Sequence, residues 1–580
     1  MRYAPFDLVE SLEACLGNPL DSAHIFSSAR CLEMDEDGII PDPIYKVLND
    51  WGLSNYYVPT EYGGELSDFQ ITLHLIRVIA RRDLTVAVGH GKTFLGAVCA
   101  WLSADKDTAV WLAERVKAGE AIGWALTERN HGSDLLAGEV FARKEGGDYV
   151  LNGEKWLINN ATRGTVISVL VRTESKGGVR GFDVLLFDKR EIRDNTFRCL
   201  PRESTHGIRG TDISGIAFNG ARIPQARRLG APGAGLETVL KGLQLTRTLC
   251  TALSLGAGDH GLRLVMQFAQ KRVLYGRRLV DLPYARHILL NAYVDQLVAE
   301  AVSIVGTRCI QGLAVEMSLV SAVAKYYVPT HTEDMLEGLG RLLGARSYLV
   351  DVPDGGMFQK VLRDNRIVSL FDGNTVVNLS ALINQFRGIG RGYQRQAVNP
   401  SVFTVFDVSV SLPPVSFDNL SLVATKGSSV FASMPILACR FADVASSHPA
   451  LGELSELVKR MCDICYSVAD AMLEHKPTRT DVPAESFELA KRFSLCFVAV
   501  AALGMWLGTH AHMAHGDYRS IWDDARWLDV AYRRLLRALG EVVSDSTTSE
   551  SALFEMLIQQ WEKGHLFSLF PCTLANRESA

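Results

Sequence analysis

The chain has 580 residues, 47% of them hydrophobic and 22% charged, enough for a large buried core and, by length, roughly three or four domains. Its net charge of −5 leaves no basic field, so nucleic acid is not an expected partner. The eleven cysteines are scattered, and the one close pair, Cys462 and Cys465, has no second pair at metal-site spacing. Reduced, buried thiols are expected, and no metal.

The N-terminus carries Asp7, Glu10 and Glu13 and no long apolar core, unlike a secretory signal or an Arg-rich transit peptide, so a cytoplasmic chain is expected. Residues 1–120 read as a helical domain. Ile44, Val47, Leu48 and Trp51 share one helical face, with Gly52 at its end. Val58-Pro59 and Gly63-Gly64 break the pattern before it resumes over Ile71–Ala80. The run G-H-G-K-T at 89–93 is not a phosphate loop, because position 86 is Val where that motif needs Gly.

Over 121–230 the texture changes to short strands and turns. Thr127, Asn130, His131, Ser133 and Asp134 surround Gly132 in a polar loop able to offer donors to an anionic or heteroaromatic ligand. Gly146-Gly147-Asp148 and Asn152-Gly153 mark turns, and Val166–Val171, Phe182–Phe187 and Ile213–Phe218 are β-rich. Residues 235–395 are helical again, the stretch Arg247–Gly276 having the length of a bundle helix. Strands followed by helices imply segregated α+β, and no G-x-G-x-x-G follows a strand, so a nicotinamide site is not indicated. Residues 396–415, with Pro413-Pro414, read as an extended linker to a helical extension over 416–580. Its longest apolar run, Leu495–Leu507, falls short of the roughly 18 residues that suggest a membrane span and reads as a buried helix; no transmembrane segment is expected. His510, His512, His515 and Asp517 read as a half-exposed patch, not a metal site.

Several blocks in register carry a family resemblance. A-L-T-E-R-N-H-G-S-D (125–134) is similar to A-x-T-E-P-x-x-G-S-D, and G-E-K-W-L-I-N-N (153–160) to G-x-K-x-W-I-T-N. Arg247 begins a block similar to R-x-x-x-A, and A-Q-K-R-V-L-Y-G (269–276) is similar to A-x-x-R-x-x-F-G. R-L-L-G-A-R-S-Y (341–348) stands for Q-x-x-G-G-x-G-Y, and F-D-G-N-T (371–375) for Y-E-G-T. Together these blocks resemble the acyl-CoA dehydrogenase family over roughly 45–390. The resemblance implies an N-terminal helical bundle, a middle β-barrel domain, a C-terminal four-helix bundle and FAD as cofactor. A helical extension of this kind resembles the long-chain, dimeric branch and the acyl-CoA oxidases, so a homodimer is expected.

The implied reaction oxidises an acyl thioester, on CoA or an acyl carrier protein, to the α,β-enoyl form. A carboxylate takes the α-proton and the β-hydride passes to flavin. The acceptor of those electrons would be an electron-transfer flavoprotein or oxygen. The implied base is Asp372, with Thr246 in the family's other base position and unable to serve. Thr127 would bond the flavin ring, Ser133 the cofactor phosphates or the substrate, and Trp156 would lie beside the isoalloxazine, with Ile158 in the place of the motif's Thr. Arg272 and Tyr275 would reach FAD across a dimer interface, Arg341 and Gly344 would meet its adenylate end, and Asn374 and Thr375 complete the cofactor set. Arg247 and Gly373 belong to the substrate side. Asp in place of Glu is one bond, about 1.5 Å, short. That departure, with Ile158, Arg341 and Ala345, suggests a specialised member. It also keeps two alternatives in view: a nitroalkane-oxidase-like oxidase or monooxygenase of the same fold, and a non-catalytic homologue.

Overall fold

The computed structural model describes residues 3–192, 194–352, 354–476, 481–513 and 518–575. Contacts divide the chain into two compact units, Pro19–Asp68 with Arg82–Thr246, and Met1–Asn18 with Phe69–Arg81 and Arg247–Ala580. The five segments expected from the sequence thus regroup, with the C-terminal bundle, the extension and two N-terminal pieces in one helical unit.

The first unit carries the sheet. Its strands are β1 (Ile122–Ala125), β2 (Phe141–Glu145), β3 (Asp148–Asn159), β4 (Val166–Arg172), β5 (Phe182–Asp188), β6 (Phe197–Leu200), β7 (Ile213–Pro224) and β8 (Arg228–Leu229). They pair in the order β6-β7-β3-β2-β4-β5-β8, with β1 parallel to β4. The hydrogen-bonded order is open, and side chains close it into the expected barrel-like body. Phe187 of β5 meets Phe197 of β6 and Phe218 of β7, both with ring centres 5.1 Å away. Alternate residues of β3, β4, β5 and β7 fill one core around these rings. The helix Leu84–Ser103 begins where the Asp83 carboxylate accepts the Val86 N–H at 3.0 Å, an N-cap. It runs against β1 so closely that a Cβ on Gly96 would sit 2.7 Å from the Ile122 carbonyl. The G-H-G-K-T run lies inside this buried helix, as the missing phosphate-loop glycine implies.

The helical unit is built on three long helices, Thr251–Lys271, Pro283–Gly312 and Met317–Leu343, with Ala484–Thr509 of the extension packed among them. Two helices, Pro283–Gly312 and Ala484–His512, are long and apolar enough by length and composition to cross a membrane, so the run at 495–507 understates its helix. Both are about four-fifths buried, at 83% and 78% of the apolar window, as core helices are. The expected linker is pinned to the unit. It forms a helix at Ser401–Phe406, and the buried Arg308 guanidinium donates to the carbonyls of Thr404, Val405, Asp407 and Val410. The buried Glu316 carboxylate, between two bundle helices, accepts the Ser429 N–H at 2.6 Å and its hydroxyl, holding the start of the helix Ser429–Ala432. Finally, residues 566–570 thread into the core. Phe567 O accepts from Arg77, which also pairs with Glu300 at 2.5 Å, and Glu300 in turn accepts from the Ser568 hydroxyl and the Leu569 N–H.

Candidate active site

In the sheet unit, Thr127 and Trp156 are joined through the backbone, the Trp156 N–H donating to the Thr127 carbonyl at 3.0 Å. Beneath this link lies a pair that sequence reasoning passed over. Lys155 Nζ donates to Glu128 Oε1 at 2.8 Å and to the Leu126 carbonyl at 2.9 Å, while Glu128 accepts the N–H groups of Glu139 and Val140. Burial pushes the Glu128 carboxyl up, but the Lys155 ammonium and these N–H groups outweigh it and hold the group below the usual carboxylate range. Burial also pulls the Lys155 ammonium below its ordinary value, offset in part by Glu128. The pair fixes the polar loop to the strand beside it. Its signal was present in the T-E and G-x-K blocks.

The Trp156 reading needs a correction by one register. Trp156 Nε1 donates to Glu203 at 2.6 Å and the Arg129 guanidinium lies 4.6 Å over its ring, so this indole is engaged by its own unit. Ile158 is 2% exposed in the barrel core and offers no surface to a ligand. The family block has one residue between its Lys and Trp, whereas Lys155 and Trp156 are adjacent. Matched on Lys155 and Asn160, the block runs without a gap, placing Leu157 at the Trp, Ile158 at the Ile and Asn159 at the Thr. The structure agrees with this register: β3 bulges between Trp156 and Ile158, with Leu157 left-handed at φ 56°. The Asn159 Oδ1 is then a buried acceptor with no hydrogen-bond partner among the described residues. Ser133 is exposed, as are Asn130 and Asp134.

In the helical unit the Asp372 loop is tightly held. Asp372 itself is left-handed, φ 55°, a conformation that costs a non-glycine residue about 1–3 kcal/mol and persists only where its surroundings dictate it. Arg247 Nε donates to the Asp372 carbonyl at 2.8 Å. Gly373 follows at φ 92°, and a Cβ there would lie 2.6 Å from the Arg247 guanidinium, so only glycine lets the arginine approach. Burial pulls the Arg247 guanidinium below its usual range, with Asp372 working against the shift. From the helix Met317–Leu343, the buried Lys325 donates to the carbonyls of Val368 at 2.6 Å and Gly373 at 3.3 Å. The Cys250 thiol donates to Asp372 Oδ2 at 3.5 Å. Asn374 caps the helix Thr375–Ile383, its Oδ1 accepting the Val377 N–H at 2.9 Å, so the plain turn-and-cap reading holds for this residue and Thr375 begins the helix. Lys325, a lone cation in an apolar helical run, could have been read from the sequence; Cys250 gave no signal.

Arg272, Tyr275, Arg341 and Gly344 gather elsewhere. Arg272 opens a hairpin in which Val273–Leu274 pairs with Arg277–Arg278, turning through left-handed Tyr275 and Gly276. Arg341 is exposed in the last turn of its helix, which left-handed Gly344 ends. The turn after it packs on the same end of Thr251–Lys271, Arg346 lying 5.4 Å over the Phe268 ring. Tyr275 and Tyr348 are 96% and 92% exposed here. Asp372 touches Cys250 at the other end of the helix Thr251–Lys271, so the two clusters stand roughly 30 Å apart along 21 residues. Two open cavities, of about 320 Å³ by Phe403, Leu437 and His510 and about 420 Å³ by His24, Arg30 and Met34, include none of these residues. Among the described residues no three His, Cys, Asp or Glu side chains converge on a metal position. His510 stacks on Trp506 with centroids 4.2 Å apart, and His515 and Asp517 lie outside the described residues.

Residues 123–221 match the acyl-CoA dehydrogenase middle domain and residues 233–385 the acyl-CoA dehydrogenase C-terminal domain. The chain is 24% identical over 346 residues to the "Probable acyl-CoA dehydrogenase FadE25" of Mycobacterium tuberculosis, covering 60% of this chain and 87% of that one. It is also 24% identical to the short/branched chain specific acyl-CoA dehydrogenase of Rattus norvegicus mitochondria, over 60% of this chain and 79% of the relative. In fold it is similar to a glutaryl-coenzyme A dehydrogenase solved with glutaryl-CoA, at TM-score 0.59 and 19% identity, over 66% of this chain and 94% of that one. It is likewise similar to the prolyl acyl carrier protein oxidase AnaB, at TM-score 0.61 and 16% identity, over 66% and 99%.

Proposed function

On the premise that the chain belongs, through its middle and C-terminal domains, to the acyl-CoA dehydrogenase family of FAD-dependent oxidoreductases, we propose that it dehydrogenates an acyl thioester with Asp372 as the base. The observation that carries this reading is the held, left-handed conformation of Asp372, with Arg247 on its own carbonyl. A carboxylate one bond shorter than Glu gains reach only by moving its backbone, and a misplacement of about 1 Å costs on the order of a hundredfold in rate. Arg247 binds the Asp372 carbonyl and Lys325 the Gly373 carbonyl that follows, and together they hold that backbone in place. The carboxylate removes the α-proton and keeps it at Asp372.

The chain's residues fit the cofactor. Asn159 presents a buried, unsatisfied acceptor next to the Thr127 loop strand, and the open, left-handed Gly344 leaves room beside the exposed cations Arg272, Arg341 and Arg346 for an anionic diphosphate. In the sheet unit Thr127 and Asn159, and in the helical unit Arg272, Arg341 and Gly344, are the residues suited to the cofactor, and when bound the flavin takes up the hydride from the β-carbon. Because Arg272 stands roughly 30 Å from Asp372 in the same chain, we assign it to the site of a second copy, which makes the active form a homodimer. A second reading, oxygen as acceptor or a carrier-protein thioester as substrate, draws on Asp372 and on the fold likeness to AnaB.

Anaerobic mixing of the flavin-loaded protein with a panel of acyl-CoA thioesters tests the proposal. Bleaching by one chain length supports it, and rapid reoxidation by air would turn the acceptor assignment to oxygen. A yellow protein that no thioester bleaches counts against it.

A further inference from the structure

The helix Phe386–Gln394 has two unlike faces. Phe386, Ile389, Gly390 and Tyr393 are buried in the helical unit, while Arg387, Arg391 and Arg395 are exposed at steps of four. Arg395 ends the helix still in helical conformation, at φ −85° and ψ 0°, so the three continue one row about 12 Å long at 1.5 Å per residue. The segment 424–427 lies along the same helix. Gln385 Oε1 accepts the Ala424 N–H at 2.8 Å, and a Cβ on Gly392 would collide with the Lys426 carbonyl, so glycine there lets the two backbones touch. This contact brings a fourth exposed cation, Lys426, beside the row. Directly before it stand two exposed aliphatic side chains, Leu422 and Val423, at 37% and 51% exposure.

Among the described residues none of these four cations makes an ion pair or a side-chain hydrogen bond. Exposed arginines elsewhere in the unit are matched: Arg278 with Asp281, Arg519 with Asp523 and Arg537 with Asp545. Asp470, on the neighbouring helix Gly452–Glu474, accepts from Gln394 at 2.7 Å and not from an arginine. The chain's net charge is −5, so the row is a positive island on an acidic protein. We propose that this face is a peripheral membrane-docking surface, on which Arg387, Arg391, Arg395 and Lys426 meet the phosphates of anionic phospholipids while Leu422 and Val423 enter the interfacial layer. A single small anion would call for a pocket, and the row is open and extended. A lipid surface spreads its negative charge sideways and begins its apolar layer just beneath, which matches cations with aliphatic side chains beside them. None of these residues belongs to the Asp372 loop or the cofactor set, so the surface stands or falls apart from the reaction.

Co-sedimentation of the full-length holoprotein with vesicles tests it, using phosphatidylcholine alone and equal parts phosphatidylcholine and phosphatidylglycerol. Binding is expected to the mixed vesicles and not to the neutral ones, and is expected to fall as salt rises from about 0.1 M to about 1 M. Each cation near an anionic surface is worth roughly fivefold in affinity, so the triple variant Arg387→Gln, Arg391→Gln, Arg395→Gln should bind about a hundredfold more weakly with an unchanged thermal midpoint. Leu422→Ser with Val423→Ser should weaken binding about tenfold. The salt series on the parent decides the charge dependence without any variant. No binding, equal binding to the two vesicles, or a triple variant that binds like the parent overturns the proposal. Release by inorganic phosphate at constant ionic strength would show a discrete anion site. A sedimentation coefficient that the triple substitution changes in the absence of vesicles would show an interface between copies. Either result also overturns the membrane assignment.

Discussion

Asp372 illustrates how much a residue's role depends on what its backbone is made to do. The motif D-G-N-T gives its position in the chain, but not the left-handed φ or the arginine and lysine that bind its carbonyl and the next one. Asp372→Asn removes the base and keeps the shape and the carbonyl contacts, so the rate of flavin bleaching should fall by about 10²–10⁴-fold with little change in thermal midpoint. Stopped-flow absorbance and a melting curve on the same sample check both halves. The sequence misled at Trp156 for a related reason. An indole draws the eye as a ligand-stacking group, yet the block matches without a gap when Leu157 takes the motif's Trp position, and β3 bulges there and leaves Ile158 in the core. Asn159, a plain residue in the sequence, emerges only because its buried oxygen has no hydrogen-bond partner among the described residues.

At the scale of elements, buried ionic groups join pieces that hydrophobic patterning alone would leave loosely placed. The Glu128–Lys155 pair clamps a loop to β3, and Lys155→Met should cost about 3–5 kcal/mol by leaving a carboxylate buried without its cation. A urea titration reads that loss directly. Glu316 does the opposite kind of work at the helix Ser429–Ala432. Burial pushes its carboxyl up to about 7, against a value of about 4.3 in an unfolded chain, with the Ser429 bonds holding it back in part. The folded state therefore binds this proton more tightly, and the associated stability is fully present below about pH 4.3 and is lost as pH rises through 7. Glu316→Gln, which can still accept from Ser429, should remove that dependence, on the order of 3 kcal/mol between pH 5 and pH 8. Parallel thermal melts at the two pH values decide it. Helix and strand identity was legible from periodicity, whereas these pairings were not, because sequence spacing does not report which distant side chains meet in the interior.

At the scale of the whole molecule, the separation of Arg272 from Asp372 becomes a test of assembly. Co-expressed subunits, one carrying Arg272→Glu and the other Asp372→Asn, should recover turnover in mixed dimers if each arginine serves its partner's site. Activity no greater than the sum of the two single variants would place Arg272 in its own subunit's site. The domain order was readable from the change of texture along the chain, but the regrouping was not: residues 566–570, far from any motif, complete a core that the first helices begin. Ending the chain at residue 565 removes Leu566, Phe567, Leu569 and Phe570, all fully buried and each worth about 1.5–3 kcal/mol. The product should pass to the insoluble fraction on expression, and a well-folded truncate would show the strap to be dispensable. The same strap imposes a timetable on synthesis. The sheet unit is written by residue 246 and can close early, whereas Arg77 and Glu300 receive their last bonds only when residue 569 has been made. At about 5–20 residues per second that is a wait of roughly 16–65 s, during which the apolar faces of half-finished helices are in the keeping of whatever chaperones meet the nascent chain.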